Sequence, residues 1–129
     1  MPPRPRHKLP RAARLLSQRD FRRVYGRGRR ASGRLMTVVV LPSRDARGAK
    51  LGLSVSKDHG SAVVRNKIKR LLREAFRLER PDLPPAVEVV IVPKVREEKL
   101  VLAELRTELR ELVTRAAGAR GEPARRPRR

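Results

Sequence analysis

Apolar residues along the chain recur at two periods, and each period predicts an element. Phe21, Val24 and Tyr25 fall at i, i+3 and i+4, so they share one face of a short helix while Arg22 and Arg23 point elsewhere. Ser17 is placed to cap that helix with Asp20 three residues on, Leu16 to staple onto Phe21, and the glycines at 26 and 28 to stop it. Arg34 to Leu41 is β-branched and apolar enough for a strand, and Lys50 to Ser56 alternates for a second. The stretch from Pro42 to Gly48 has hairpin-loop composition, so an antiparallel pair is the natural outcome. Ala86 to Val92, bounded by Pro84-Pro85 and Pro93, is almost continuously apolar, which predicts a strand in a central position.

Two longer segments carry the helical period. Between Ser61 and Arg80, Val64, Ile68, Leu71, Leu72, Ala75 and Phe76 collect on one arc, with Arg65, Lys69, Arg70, Arg73 and Arg77 opposite. One face suits a core and the other suits phosphate. From about Arg96 to Ala117 a last helix is expected, with Leu102, Leu105, Leu109, Leu112 and Ala116 as its stripe and mixed charges elsewhere, including Glu111 and Arg115 at i, i+4. The stripe is too short for a coiled coil and reads as packing against the sheet.

Charge changes this picture from a generic fold to a binding protein. The 129 residues hold 34 Lys plus Arg against 13 Asp plus Glu, a net charge of +21. At this level self-repulsion opposes compactness, and a polyanionic partner, most simply nucleic acid, compensates for it. The excess is not uniform: residues 1–73 carry +18, residues 74–115 carry −1 and the last fourteen carry +4. The near-neutral stretch therefore serves the fold while the basic part meets the partner. Residues 1–10 and 118–129 mix Pro, Gly and Arg with few apolar side chains and are expected to be disordered basic tails around one domain at 11–117.

The chemistry-bearing residues are few. There is no cysteine, and His7 and His59 stand alone, so neither a thiolate nucleophile nor a zinc site is expected. No apolar run approaches the roughly 20 residues that span a bilayer. The proline-rich N-terminus does not match an amphipathic targeting helix, so a cytoplasmic location without membrane association is expected. Asp20 is accounted for by a cap, Asp58 by a loop and Glu74 by its i−4 neighbour Arg70, which leaves no carboxylate pair for acid–base work. Glycine loops for phosphate, zinc signatures and nucleophile elbows are absent too. The strongest signal is the row Asn66, Lys67, Lys69, Arg70 and Arg73, which meets no acid until Glu74. Phe21 and Tyr25, two of three aromatics in the chain, can be a core pair or a surface for stacking unpaired bases.

Leu51-Gly-Leu-Ser-Val-Ser-Lys57, followed by Ala62-Val-Val-Arg-Asn-Lys-Ile-Lys-Arg-Leu-Leu-Arg-Glu-Ala-Phe76, closely resembles the signature of the protein subunit of bacterial ribonuclease P. The Asp20–Tyr25 segment and the Val87–Val92 strand fall in that family's order, so the resemblance covers approximately residues 9–117. It implies an α+β fold: a two-layer α/β sandwich like the second domain of ribosomal protein S5, with three helices on a four-stranded, mostly antiparallel sheet. It also implies a left-handed crossover through the central helix, against the general rule. One strand of that sheet has no clear place in the sequence, Ala31 to Leu41 holding a candidate break.

Functionally the resemblance implies a partner for a catalytic RNA that removes the 5′ leader of precursor tRNA. Arg65, Asn66, Lys67, Lys69, Arg70 and Arg73 would face the catalytic RNA. Phe21, Tyr25, Thr37, Val39 and Lys57 would line a cleft for the single-stranded leader. No catalytic or metal-binding residue is expected on the protein, magnesium is expected at the RNA active site, and a protein oligomer is not required. Lys67 stands where arginine is usual, Asp58 where a base is common, and the first strand offers Thr37 and Val39 but no aromatic. A non-enzymatic ribosomal or ribosome-assembly protein is the rival reading. A DNA-binding architectural protein is disfavoured by the lack of a groove-reading motif.

Overall fold

The computed structural model describes residues 9, 13–15, 17–43, 48–95, 99–118 and 122–123. Helix α1 (Gln18–Arg27) starts where Ser17 Oγ accepts the Asp20 N–H at 3.1 Å, as its sequence predicts. The proposed staple through Leu16 lies outside the described residues. Gly28 ends the helix by close approach: a Cβ there would stand 2.7 Å from the Val24 carbonyl oxygen and 2.8 Å from Val39.

Strands β1 (Arg29–Ser32) and β2 (Met36–Pro42) form an antiparallel hairpin, with Ser32 opposite Thr37. The missing strand is thus β1, and the break within 31–41 is the turn at Gly33–Leu35. Strand β3 (Lys50–Leu53) is shorter than its alternation suggests and does not pair with β2, which corrects the expected hairpin. Both strands flank β4 (Val87–Pro93), β3 in parallel and β2 antiparallel. The reason is the apolar run of β4: with six of its seven residues buried, it belongs between neighbours, and the chain reaches it from β3 through helix α2 (Ala62–Glu79).

Helix α3 (Leu102–Ala117) begins six residues later than the expected start at about Arg96, after Val101, which supplies no side-chain cap; residues 96–98 lie outside the description. The sheet runs β3-β4-β2-β1, and a two-residue strand β5 (Glu122–Pro123) adds to the β1 edge. Residues 1–8, 10, 119–121 and 124–129 of the two tails lie outside the described residues.

Alternation along the strands sorts two cores. Met36, Val38, Val40, Val87, Val89 and Ile91 face α2 and α3, where Leu72, Ala75, Phe76, Leu105, Leu109 and Leu112 complete the main cluster. Val39 and Val90 face the other way, against Leu15, Val24 and Phe21. Helix α1 therefore lies on the second face with Leu15, a partial third layer over one stretch of sheet.

Two carboxylates hold the large face together. Glu79, 2% exposed, receives the Arg106 Nε–H on Oε2 at 2.6 Å, and Arg110 Nη1 stands 3.7 Å from Oε1, tying α2 to α3. Glu108 of α3 accepts the backbone N–H groups of Arg34, Leu35 and Met36 at 3.0, 2.7 and 2.9 Å and so clamps the β1–β2 turn. A Cβ on Gly33 would fall 2.6 Å from that carboxyl group, which explains a glycine there.

Candidate nucleic-acid interface

Helix α2 begins at Ser61, whose Oγ accepts the Val64 N–H at 3.3 Å, and its first turn holds no acid. Burial starts one turn later than the apolar pattern predicts. Val63 and Val64 are 66% and 42% exposed, because this end of α2 meets the Lys57–His59 turn rather than the sheet. Val64 is thereby removed from the expected core, and Ile68 and Leu71 are half-buried ahead of Leu72.

The basic side is as expected. Asn66, Lys67 and Arg70 are exposed, while Arg65, Lys69 and Arg73 are half-buried. Arg65 Nε donates to the Gly60 carbonyl at 3.2 Å, which pins its stem to the turn before the helix. Glu74 does not pair with Arg70. Its carboxylate takes Arg77 in a two-pronged bond at 2.6 and 3.1 Å, which holds the Glu74 carboxyl below its usual value and Arg77 above its own. The i+3 neighbour wins over the i−4 neighbour, so the cations from Arg65 to Arg73 have no carboxylate partner among the described residues.

The opposite face of the sheet carries the second group. Phe21 is half-buried against Leu15 and the backbone of Gly52, where a Cβ would stand 2.9 Å from its ring. That contact makes Phe21 chiefly a packing residue. Tyr25 is 39% exposed. Arg23 is tied to Glu88 and, at 2.8 Å, to Asp20, and the Glu88 bond holds its guanidinium above the usual value. This fixes the roll of α1. Tyr25, about 200° further round than Arg23, lies on the flank turned away from Glu88.

At the Val92 end of β4 the sheet is only partly covered, with Val92 packed against the edge of the second cluster. Thr37 and Val92 sit opposite each other and are half-exposed, and Ser32 beside Thr37 shares a 2.8 Å hydroxyl contact with it. Val39, by contrast, is 4% exposed beneath α1, so of the two strand residues only Thr37 borders the open strip and Val39 is part of its support. Lys57 is exposed in the turn that follows β3, and the His59 Nε2–H donates to the Pro93 carbonyl at 2.9 Å, which anchors this turn to the same end of β4. The start of α2, Lys57 and the strip from Ser32 to Val92 thus share one end of the sheet.

No group of three His, Cys, Asp or Glu side chains among the described residues is placed to hold a metal ion. Asp20 and Glu74 are engaged by arginines, as are Glu79 and Glu88. No helix among them is long and apolar enough to cross a membrane. No motif marks Arg14, an exposed residue whose backbone bridges to Leu51 on the edge of β3.

A family model for ribonuclease P matches residues 9–117. A ribonuclease P protein component from Desulfovibrio desulfuricans is 42% identical over 116 residues, covering 87% of this chain and 88% of its own. Another from Chlamydia trachomatis serovar L2 is 45% identical over 86 residues, with 67% and 71% covered. Among solved structures, the ribonuclease P protein of Thermotoga maritima superposes with a TM-score of 0.71 at 28% identity, over 81% of this chain and 98% of its own.

Proposed function

The chain belongs to the ribonuclease P protein family, and from that membership we propose a division of labour between its two surfaces. The role in tRNA 5′ processing and the RNA partner come with the family. In our reading that partner is a catalytic RNA, gripped by Arg65, Asn66, Lys67, Lys69, Arg70 and Arg73, and the strip beside Tyr25, with Thr37 and Lys57, takes the single-stranded 5′ leader of precursor tRNA. The observation that carries the reading is a row of cations on α2 with no opposing carboxylate among the described residues, in a helix that starts at the same sheet end as a partly exposed strip.

The division follows from what each surface offers. Guanidinium and ammonium groups at helical spacing exchange condensed counterions for phosphates whatever the sequence. A flat strip of Thr and Val beside one exposed phenol ring offers van der Waals and stacking contact to unpaired bases, and a duplex would not fit against α1. The protein lowers repulsion between two RNAs and holds the leader. Hydrolysis at phosphorus uses oxygen-ligated divalent ions, which we assign to the RNA.

Cleavage of precursor tRNA by a bacterial ribonuclease P RNA at low magnesium tests the reading. Adding the protein should raise the rate over RNA alone, and an unchanged rate would overturn it. Within that assay, Tyr25→Ala should weaken precursor over mature tRNA by about fivefold or more with the melting temperature kept. Phe21→Ala should chiefly lower the melting temperature, because its ring fills the space over Gly52.

A further inference from the structure

Strand β1 turns its residues alternately to the two faces of the sheet. Ala31 is 6% exposed and belongs to the main core cluster, so Arg30 and Ser32 on either side of it face the surface that carries α1. The 2.8 Å hydroxyl contact between Ser32 and Thr37 agrees with that side, because Met36 and Val38 flank Thr37 in the main core. Across the sheet, Val92, Thr37 and Ser32 form one row, and Val90, Val39 and Arg30 form the next.

The second row is covered at one end and open at the other. Val90 and Val39 are buried in the smaller cluster with Val24 of α1, whereas Arg30 is exposed. The cover stops there because the end of α1 comes down on Val39, where Gly28 makes its close approach. Arg30 thus stands beside the end of the helix that carries Tyr25 and about 7 Å along β1 from Ser32. It forms no ion pair with any carboxylate among the described residues. Strand β5 is paired along the outer edge of β1 at Arg29 and Arg30, so a ligand reaches Arg30 over the face of the sheet rather than by adding a strand.

We propose that Arg30 binds a backbone phosphate of the precursor tRNA leader and thereby sets the course of that strand across the sheet. Bases lie over Val92, Thr37 and Ser32 beside Tyr25, and the backbone leaves over β1 at Arg30. Thr, Ser and Val give contact but no charge, while a guanidinium stays ionised and presents parallel donors to phosphate oxygens. Lys57 follows β3 on the far side of the row, so the leader has a cation at each side of its path. The proposal rests on the assignment of the strip to the leader and adds the residue that fixes the strand's exit.

Affinity for precursor and for mature tRNA, measured with the full chain in complex with a bacterial ribonuclease P RNA, tests it. Arg30→Ala should weaken precursor binding about tenfold, leave mature tRNA binding unchanged, and reduce by about 0.7 the extra salt slope that the leader contributes. Arg29→Ala, one residue away and on the opposite face, should leave the selectivity for precursor as it is. An equal loss of selectivity from both variants would overturn the proposal, because net charge near β1 rather than the face would then decide. Unchanged selectivity in Arg30→Ala beside weakened precursor binding in Tyr25→Ala would overturn it while sparing the strip, and unchanged selectivity in both would remove the strip's assignment as well. Equal weakening of precursor and mature tRNA would place Arg30 against another part of the complex and overturn it too. Glu122 of β5 stands opposite Arg30 in the ladder. A fall in melting temperature shared by Arg30→Ala and Glu122→Gln, with both affinities unchanged, would make Arg30 a residue of the β1–β5 edge and overturn its contact with the leader.

Discussion

Helices α2 and α3 pack side by side on one face of the sheet and bury comparable apolar stripes, yet they treat charge in opposite ways. On α3, Glu108 clamps the β1–β2 turn, Glu104 stands 3.9 Å from Arg34, and Arg106 and Arg110 reach the buried Glu79. On α2, the cations from Arg65 to Arg73 meet no carboxylate at all among the described residues, and the nearest acid, Glu74, is taken by Arg77. Four of the charged residues of α3 are engaged within the protein, whereas the cations of α2 from Arg65 to Arg73 are not. Surface composition alone does not separate the two cases, because what matters is whether each charge already has a partner.

Breaking that contrast from the α3 side should give the largest effect. Arg106→Ala removes the one hydrogen bond that a described residue gives to a carboxylate that is 2% exposed, leaving it only the longer 3.7 Å ion pair with Arg110. The expected loss is about 3 kcal/mol of stability, read as a lower denaturant midpoint, with RNA affinity of the folded fraction unchanged. Glu108→Ala strips three backbone N–H groups of their acceptor and should cost about 2 kcal/mol, again seen in denaturant unfolding.

From the α2 side the sign of the experiment changes. Lys69→Ala should leave the unfolding midpoint within about 0.5 kcal/mol of the parent while reducing the slope of log affinity for RNA against log salt by about 0.7 to 0.9. An unaltered slope would place this side chain away from RNA. The smallest expected effect belongs to Glu74. Its carboxyl is held below the usual value by Arg77, so its contribution is present above the ordinary glutamate range and fades as the pH falls through the lowered value. Because the side chain is 42% exposed, Glu74→Gln should change stability at neutral pH by less than about 0.5 kcal/mol and flatten the acid limb only slightly.

How much of this was legible in the sequence depends on how local the signal is. The cap at Ser17, the stripe of α3, the stripe of α2 apart from Val64 and the central place of β4 are written within single windows of sequence, and they match the structure. Strand β1 was not legible because only Ala31 among its four residues is buried, which leaves no alternation to read. The pairing of β3 with β4 instead of β2 depends on a strand more than thirty residues away. The roles of Glu79 and Glu108 were hidden for the same reason, since their partners lie 27 and more than 70 residues distant along the chain. At the candidate site, the cations of α2 were visible as a row without acids. Phe21 and Tyr25 could be told apart only once α1 was laid on Gly52, and Arg14 came into view only through its bridge to Leu51.

The contrast between the two helices can be measured without touching either set of charges. The chain has no cysteine, so a single one introduced at exposed Val63 on α2, or in place of exposed Glu111 on α3, gives a unique attachment point for an iron chelate that generates hydroxyl radicals. In complex with a bacterial ribonuclease P RNA, Val63→Cys should cut the RNA backbone at a few clustered positions and Glu111→Cys should cut weakly or not at all. Equal cutting from both positions, or stronger cutting from Glu111→Cys, would contradict the assignment of α2 as the helix whose charges are reserved for RNA.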